Sequence, residues 1–136
     1  MKVILDCNIW ISFLLGYQTS AMQYLLCHPD IDIYVCDEIL QEIRSVGIRH
    51  KIATRIAEDD LDNILNVIAQ FCTYNQITTV SNVSIRDSKD IYLLSFAESI
   101  QADYLVSGDK DLLVLKHHEE TKIVSLSEFK SFLEFV

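Results

Sequence analysis

The sequence predicts an α/β domain with a four- to five-stranded parallel sheet and helices on both faces. Short apolar, β-branched runs recur at residues 3–5, 31–36, 104–107 and 123–124. Between them lie longer stretches with apolar residues at helical spacing. The chain is 136 residues long, half hydrophobic, with only 3 Gly and 1 Pro. That mass suffices to bury roughly 68% of the unfolded surface around one core. Strands alternating with helices give parallel pairs joined by helical crossovers. No linker, repeat or composition break interrupts the chain, so residues 1–136 are expected to form a single domain.

The elements follow in order. Val3-Ile4-Leu5 is a buried first strand closed by Asp6, and a helix over 9–15 stops near Gly16. Ser20 caps a helix over 20–28, which ends before Pro29. Residues 31–36 alternate as a second strand, and Asp37 caps a helix carrying Ile39, Leu40, Ile43 and Val46. A helix over 60–72 turns Leu61, Ile64, Leu65, Ile68 and Phe71 inward. An edge strand is expected at 77–80, and a helix over 90–99 carries Leu93, Leu94, Phe96 and Ala97. The strand 104–107, a short helix over 109–115, a strand at 123–124 and a helix over 127–135 complete the chain.

Composition excludes several classes. Eleven basic against 20 acidic residues leave a net charge of −9, which repels nucleic acid and anionic membranes in bulk. A phosphate-bearing substrate must then be held through metal ions or a local basic patch. Cys7, Cys27, Cys36 and Cys72 show no C-x-x-C spacing, so they read as reduced, mostly buried thiols rather than a zinc or redox motif. No run reaches the roughly 18 apolar residues of a membrane span. Asp6 and Asn8 interrupt the N-terminal apolar stretch, and no small-residue cleavage site follows. A cytoplasmic protein is expected.

Acidic residues close several strands. Asp6 ends the first, Asp37 the second, and Asp109 follows 104–107. Each alone reads as a helix cap. Several converging on one sheet edge repel one another, an arrangement that a divalent cation stabilises. Three segments carry the case: Val3-Ile4-Leu5-Asp6-Cys7-Asn8, Glu42 in the helix after the second strand, and Lys89-Asp90 followed by Ala102-Asp103-Tyr104-Leu105-Val106-Ser107-Gly108-Asp109-Lys110-Asp111-Leu112-Leu113. As a strand, the first segment would deliver Asp6 and Asn8 to the same side.

Together these segments resemble the PIN domain family of metal-dependent ribonucleases, in its bacterial branch of toxins from toxin–antitoxin pairs. The resemblance runs from Lys2 to about Leu126. It implies a three-layer sandwich and hydrolysis of single-stranded RNA with Mg²⁺ or Mn²⁺. Asp6, Glu42, Asp90 and Asp109 would be the catalytic, metal-holding quartet. Asn8 and Ser107 would orient it by hydrogen bonds, and Asp111 would be an accessory carboxylate. An antitoxin protein would be the partner, and a basic one would suit the acidic chain. Ser88 stands where many relatives have Pro, and Ile91 where they often have Asp or Asn.

The chemistry agrees on its own terms. Phosphodiester hydrolysis needs an activated water and charge compensation, and hard cations on carboxylate ligands supply both. Arg44, Arg49, His50, Lys51 and Arg55 cluster after Glu42. They read either as a solvated surface or as a phosphate-contacting patch, with Arg44, Arg49 and Lys51 the candidate RNA contacts. His28, His50, His117 and His118 are scattered, and His117-His118 reads as a solvated surface pair. Trp10, Phe13 and Tyr17 fit either the interior or a homodimer face. Two other readings stand beside this one. Leu5-Asp6-Cys7-Asn8 loosely echoes a haloacid-dehalogenase-type phosphohydrolase, but position 8 lacks the acid that would protonate the leaving group. A catalytically silent RNA- or partner-binding domain is the other, against which stand four acidic quartet positions.

Overall fold

Val3, Ile4 and Leu5 are consecutive and have no exposed surface. Successive strand residues point to opposite faces, so this burial requires a sheet covered on both sides. In the computed structural model they lie in β1 (Lys2–Leu5). There follow α1 (Cys7–Leu14), α2 (Thr19–Cys27), β2 (Asp32–Val35), α3 (Asp37–Thr54), α4 (Asp60–Phe71) and β3 (Thr73–Tyr74). Then come α5 (Ile91–Ile100), β4 (Tyr104–Val106), α6 (Lys110–Leu113), β5 (His117–His118), β6 (Thr121–Val124) and α7 (Leu126–Glu134). The structure describes residues 1–16, 19–54, 60–80 and 90–134. Tyr17, Arg55, Ser88 and Lys89 lie outside them.

The strands form one sheet in the order β3-β2-β1-β4-β6-β5, parallel except for the β5–β6 pair. The chain leaves β1 outward through β2 and β3, then returns to lay β4 on the other side of β1. That reversal opens a crevice beyond the carboxyl ends of β1 and β4, where ligands of open α/β sheets bind. As expected, these two strands are adjacent and central. Val3, Ile4 and Leu5 face Tyr104, Leu105 and Val106 in register. The ladder continues past the strand ends: Asp6 N–H donates to the Val106 carbonyl at 2.9 Å, and Ser107 N–H to that of Val124 at 3.0 Å.

Among the described residues five strands are parallel, as expected, and β5 adds an antiparallel sixth. The third is Thr73–Tyr74, not 77–80. It pairs with β2 directly after α4, whereas Thr78 and Thr79 give their N–H groups to Ser99 Oγ at 2.9 Å each. The sixth is β5, so His117-His118 is not a solvated pair. His118 is 7% exposed, and its Nε2 lies 3.2 Å from Glu98 Oε1, fastening the β5–β6 hairpin to α5. Helix ends shift by a residue or two, within ordinary fraying, except that α1 begins at Cys7 and so bears on the site below.

Ile39 and Ile43 of α3 and Ile64 and Ile68 of α4 enter the core as the spacing predicts. Phe71 does not: it ends α4 at 53% exposed, while Cys72 packs inward instead. Trp10 and Phe13 are buried edge to face, ring centroids 6.0 Å apart, so they belong to the interior and not to a dimer face. Tyr104 stacks on Phe129 of α7 at 5.1 Å. All four cysteines are free, with Cys27 exposed and the other three covered. Burial pushes the thiols of Cys7, Cys36 and Cys72 up to about 12, so they stay protonated and inert. Among the described residues no helix is long and apolar enough to cross a membrane.

Candidate active site

Asp6 leaves β1 at the crevice and is 4% exposed. It occupies the N-cap position of α1 yet makes no capping hydrogen bond with its side chain. Instead Ser107, one residue past β4, donates its hydroxyl to Asp6 Oδ2 at 2.6 Å. The same Ser107 oxygen accepts the Asp109 N–H at 3.0 Å. One hydroxyl thus joins the ends of two adjacent strands. Burial raises the pKa of Asp6. The Ser107 hydrogen bond opposes that rise, and the charges of Glu42 and Asp109 add to it.

Asp109 caps α6, its Oδ1 accepting the Asp111 N–H at 2.8 Å. Its carboxyl also hydrogen-bonds with that of Asp90, which holds it below the usual carboxylate range; partial burial works against this and the Asp111 N–H supports it. Asp90 stands at the N-cap of α5 but makes no capping hydrogen bond with its side chain. Of the three strand- and helix-end acids, only Asp109 serves as a cap as well.

Glu42 lies about one and a half turns into α3 and is half-buried. Tyr92 of α5 donates its phenol to Glu42 Oε2. Burial, then this bond, then the charges of Glu42 and Asp6 push the phenol well above its ordinary range, so it stays a donor. Asp6, Glu42, Asp90 and Asp109 are therefore linked: Glu42 and Asp109 each act electrostatically on Asp6, and Asp90 bonds Asp109. The fold brings the four expected acids to one edge. All donors are carboxylate oxygens, the set that a hard divalent cation takes.

The supporting residues divide. Ser107 bonds Asp6, whereas Asn8 does not join in. Because α1 starts at Cys7, helical rotation replaces strand alternation and carries Asn8 to an exposed position. Among the described residues its side chain makes no hydrogen bond to the carboxylates. Asp111 contributes its backbone N–H to Asp109. Motif spacing does not single out Tyr92. Its signal was a polar tip within the apolar run Ile91–Ile100 of α5, since a buried phenol needs a partner.

The basic cluster is split by helix geometry. Arg49 lies seven residues beyond Glu42, two turns along the same face, and its charge acts on the buried Cys7 thiol beside Asp6. Arg44 is two residues from Glu42, which places it on the other side of α3. There it lines a groove of about 330 Å³ with Leu40, Leu65 and Tyr74. Lys51 is on α3, with its side chain outside the described set. A separate group, Glu98, His118 and Glu119, gathers ligand atoms within 4.8 Å of one another. It is centred at the far end of α5, roughly 12 Å along the helix from Asp90.

A family model described as PIN domain matches residues 2–111. No curated protein sequence matches significantly. Among solved structures, a chain of the crystal structure of VapBC2 from Rickettsia felis, bound to a DNA fragment from their promoter, aligns with a TM-score of 0.64 and 14% identity. The alignment covers 90% of this chain and 97% of that one, and at this identity the likeness concerns the fold. The PIN domain endonuclease Utp24 aligns at a TM-score of 0.45 and 18% identity, over 80% of this chain and 71% of that one.

Proposed function

Because this chain belongs to the PIN domain family, a family of nucleases, we propose that it is an endoribonuclease dependent on Mg²⁺ or Mn²⁺. It cleaves phosphodiester bonds of single-stranded RNA as the toxin of a toxin–antitoxin pair. Membership in the family sets aside the haloacid-dehalogenase-type reading. The observation that carries the proposal is the convergence of Asp6, Glu42, Asp90 and Asp109, from four separate segments, on the crevice at β1 and β4. A buried Asp6 with further carboxylates beside it is an unfavourable arrangement unless a cation compensates it.

In this reading the four acids hold the cation. When bound, it supplies positive charge at the scissile phosphate and lowers the pKa of water. The protein's own part is positioning. Ser107 fixes Asp6, the Asp111 N–H fixes Asp109, and Tyr92 engages Glu42. Ligands held this way need little rearrangement when a substrate arrives. Arg49 is the RNA contact nearest the centre, whereas Arg44, on the other side of α3, makes no phosphate contact in this reading. The excess negative charge suits a basic antitoxin. A cytoplasmic location completes the proposal.

The test is cleavage of labelled single-stranded RNA by the purified chain in Mn²⁺ and in chelator, with Asp6→Asn and Asp109→Asn alongside. Cleavage that needs Mn²⁺ and both acids supports the reading. Full cleavage in chelator would end the metal dependence. RNA binding without any cleavage would instead identify a catalytically silent binding domain.

A further inference from the structure

Glu42 differs from the other three acids in reach. Asp6, Asp90 and Asp109 have short side chains set where strands end and helices begin. Glu42 sits inside α3 on a longer, more flexible side chain, whose ordering costs more conformational entropy. Something must hold it toward the centre, and among the described residues the Tyr92 hydroxyl bonds it. We propose that Tyr92 is a positioning residue of the carboxylate centre: by engaging Oε2 it fixes the torsions of Glu42 and leaves Oε1 as the oxygen offered to a divalent cation. The inference rests on the metal-dependent reading above and names how one of its ligands is set.

The choice of a phenol follows from charge. A lysine or arginine in this place would hold Glu42 equally well, but it would neutralise the carboxylate and compete with the cation. A phenol is neutral at physiological pH and donates a single hydrogen bond. It therefore orients Glu42 without removing charge from the cluster. Its place on the fold adds to this. Tyr92 is in the first turn of α5, two positions after Asp90, which bonds Asp109. The start of one helix thereby brings in one acid and braces another from α3.

Mn²⁺ binding by titration calorimetry on the wild type, Tyr92→Phe, Glu42→Gln and the double variant tests this, with melting in chelator confirming that each is folded. Removing the hydroxyl should weaken Mn²⁺ binding about tenfold, the lower end of what partners behind metal ligands contribute. In the Glu42→Gln background the same change should have little further effect, because Tyr92 acts through Glu42. Tyr92→Phe binding within twofold of wild type would overturn the inference. So would an equal loss in both backgrounds, since Tyr92 would then act by another route. Asp6→Asn serves as reference. If Mn²⁺ binds the wild type with no dependence on Asp6, or does not bind, the metal reading fails and the inference falls with it. If binding depends on Asp6 but not on Tyr92, only the inference falls.

Discussion

Asp6→Asn removes a negative charge from the most buried acid of the centre and keeps its shape. The amide oxygen can still accept the Ser107 hydroxyl. In the wild type, a hundredfold excess of Mn²⁺ over its dissociation constant stabilises the fold by about 2.7 kcal/mol. Unfolding entropy near 2.1 cal/mol/K per residue gives about 0.29 kcal/mol/K for 136 residues. The expected wild-type shift in Tm is then roughly 9 °C. If losing the charged ligand weakens binding about a hundredfold, the variant gains only about 0.4 kcal/mol at the same Mn²⁺, a shift of roughly 1–2 °C. In chelator the variant should melt at or above the wild type, because burial and the charges of Glu42 and Asp109 disfavour the ionised Asp6. Calorimetric melts in chelator and in Mn²⁺, run beside RNA cleavage, read all of this. A variant that shifts as far as the wild type in Mn²⁺ refutes Asp6 as a ligand. One that melts several degrees lower in chelator and still cleaves makes Asp6 a structural residue.

The raised pKa of Asp6 fixes a pH dependence: the folded state binds that proton more tightly than the unfolded chain. Metal-free wild type should therefore gain stability relative to Asp6→Asn as pH falls through the folded pKa toward the unfolded value of 3.8, and gain no more below it. Urea melts in chelator across that range measure the difference, and a slope of the opposite sign would contradict the assigned burial. Arg49→Ala should weaken RNA binding and reduce its log–log salt slope by roughly 0.7, one single-strand phosphate contact, whereas Arg44→Ala should leave the slope unchanged. Equal effects of the two would place the patch elsewhere on α3. His118→Ala should cost about 2–3 kcal/mol by removing a buried ring and the partner of Glu98, a fall of roughly 7–10 °C in Tm, without changing Mn²⁺-dependent cleavage. A loss of cleavage at a temperature where the variant is folded would tie the hairpin to the active centre.

What the sequence disclosed depended on the range of the interactions. Val3-Ile4-Leu5 followed by Asp6, and Tyr104-Leu105-Val106 followed by Ser107, are local patterns whose meaning is nearly complete in themselves, and both strands form as expected. The edge strand at 77–80 was read from β-branched residues, but pairing depends on which backbone reaches β2. Thr73 and Tyr74 reach it first, and Ser99 takes up the amides of Thr78 and Thr79. His118 read as surface because its partner, Glu98, stands twenty residues earlier on another element. Within the site, Asp6 and Asp109 follow β1 and β4, a position that a sequence displays, whereas Glu42 lies inside α3 and Asp90 opens α5. Strand spacing misplaces Asn8 because α1 already begins at Cys7, and local pattern does not reveal Tyr92 because its bond to Glu42 spans fifty positions.

The placing of β4 beside β1 also sets a timetable. The hydroxyl joining Asp6 to the second half of the centre belongs to a residue 101 positions later. At the usual 5–20 residues per second of synthesis, roughly 5–20 s separate the two. During that interval a nascent chain has no completed centre, whatever its first half has already folded into. The side of β1 that β4 will cover stays an open edge, a template for mispairing until the right strand emerges. The proposed centre is therefore complete only once β4 has emerged, and truncated chains ending before β4 should be inert and prone to aggregate.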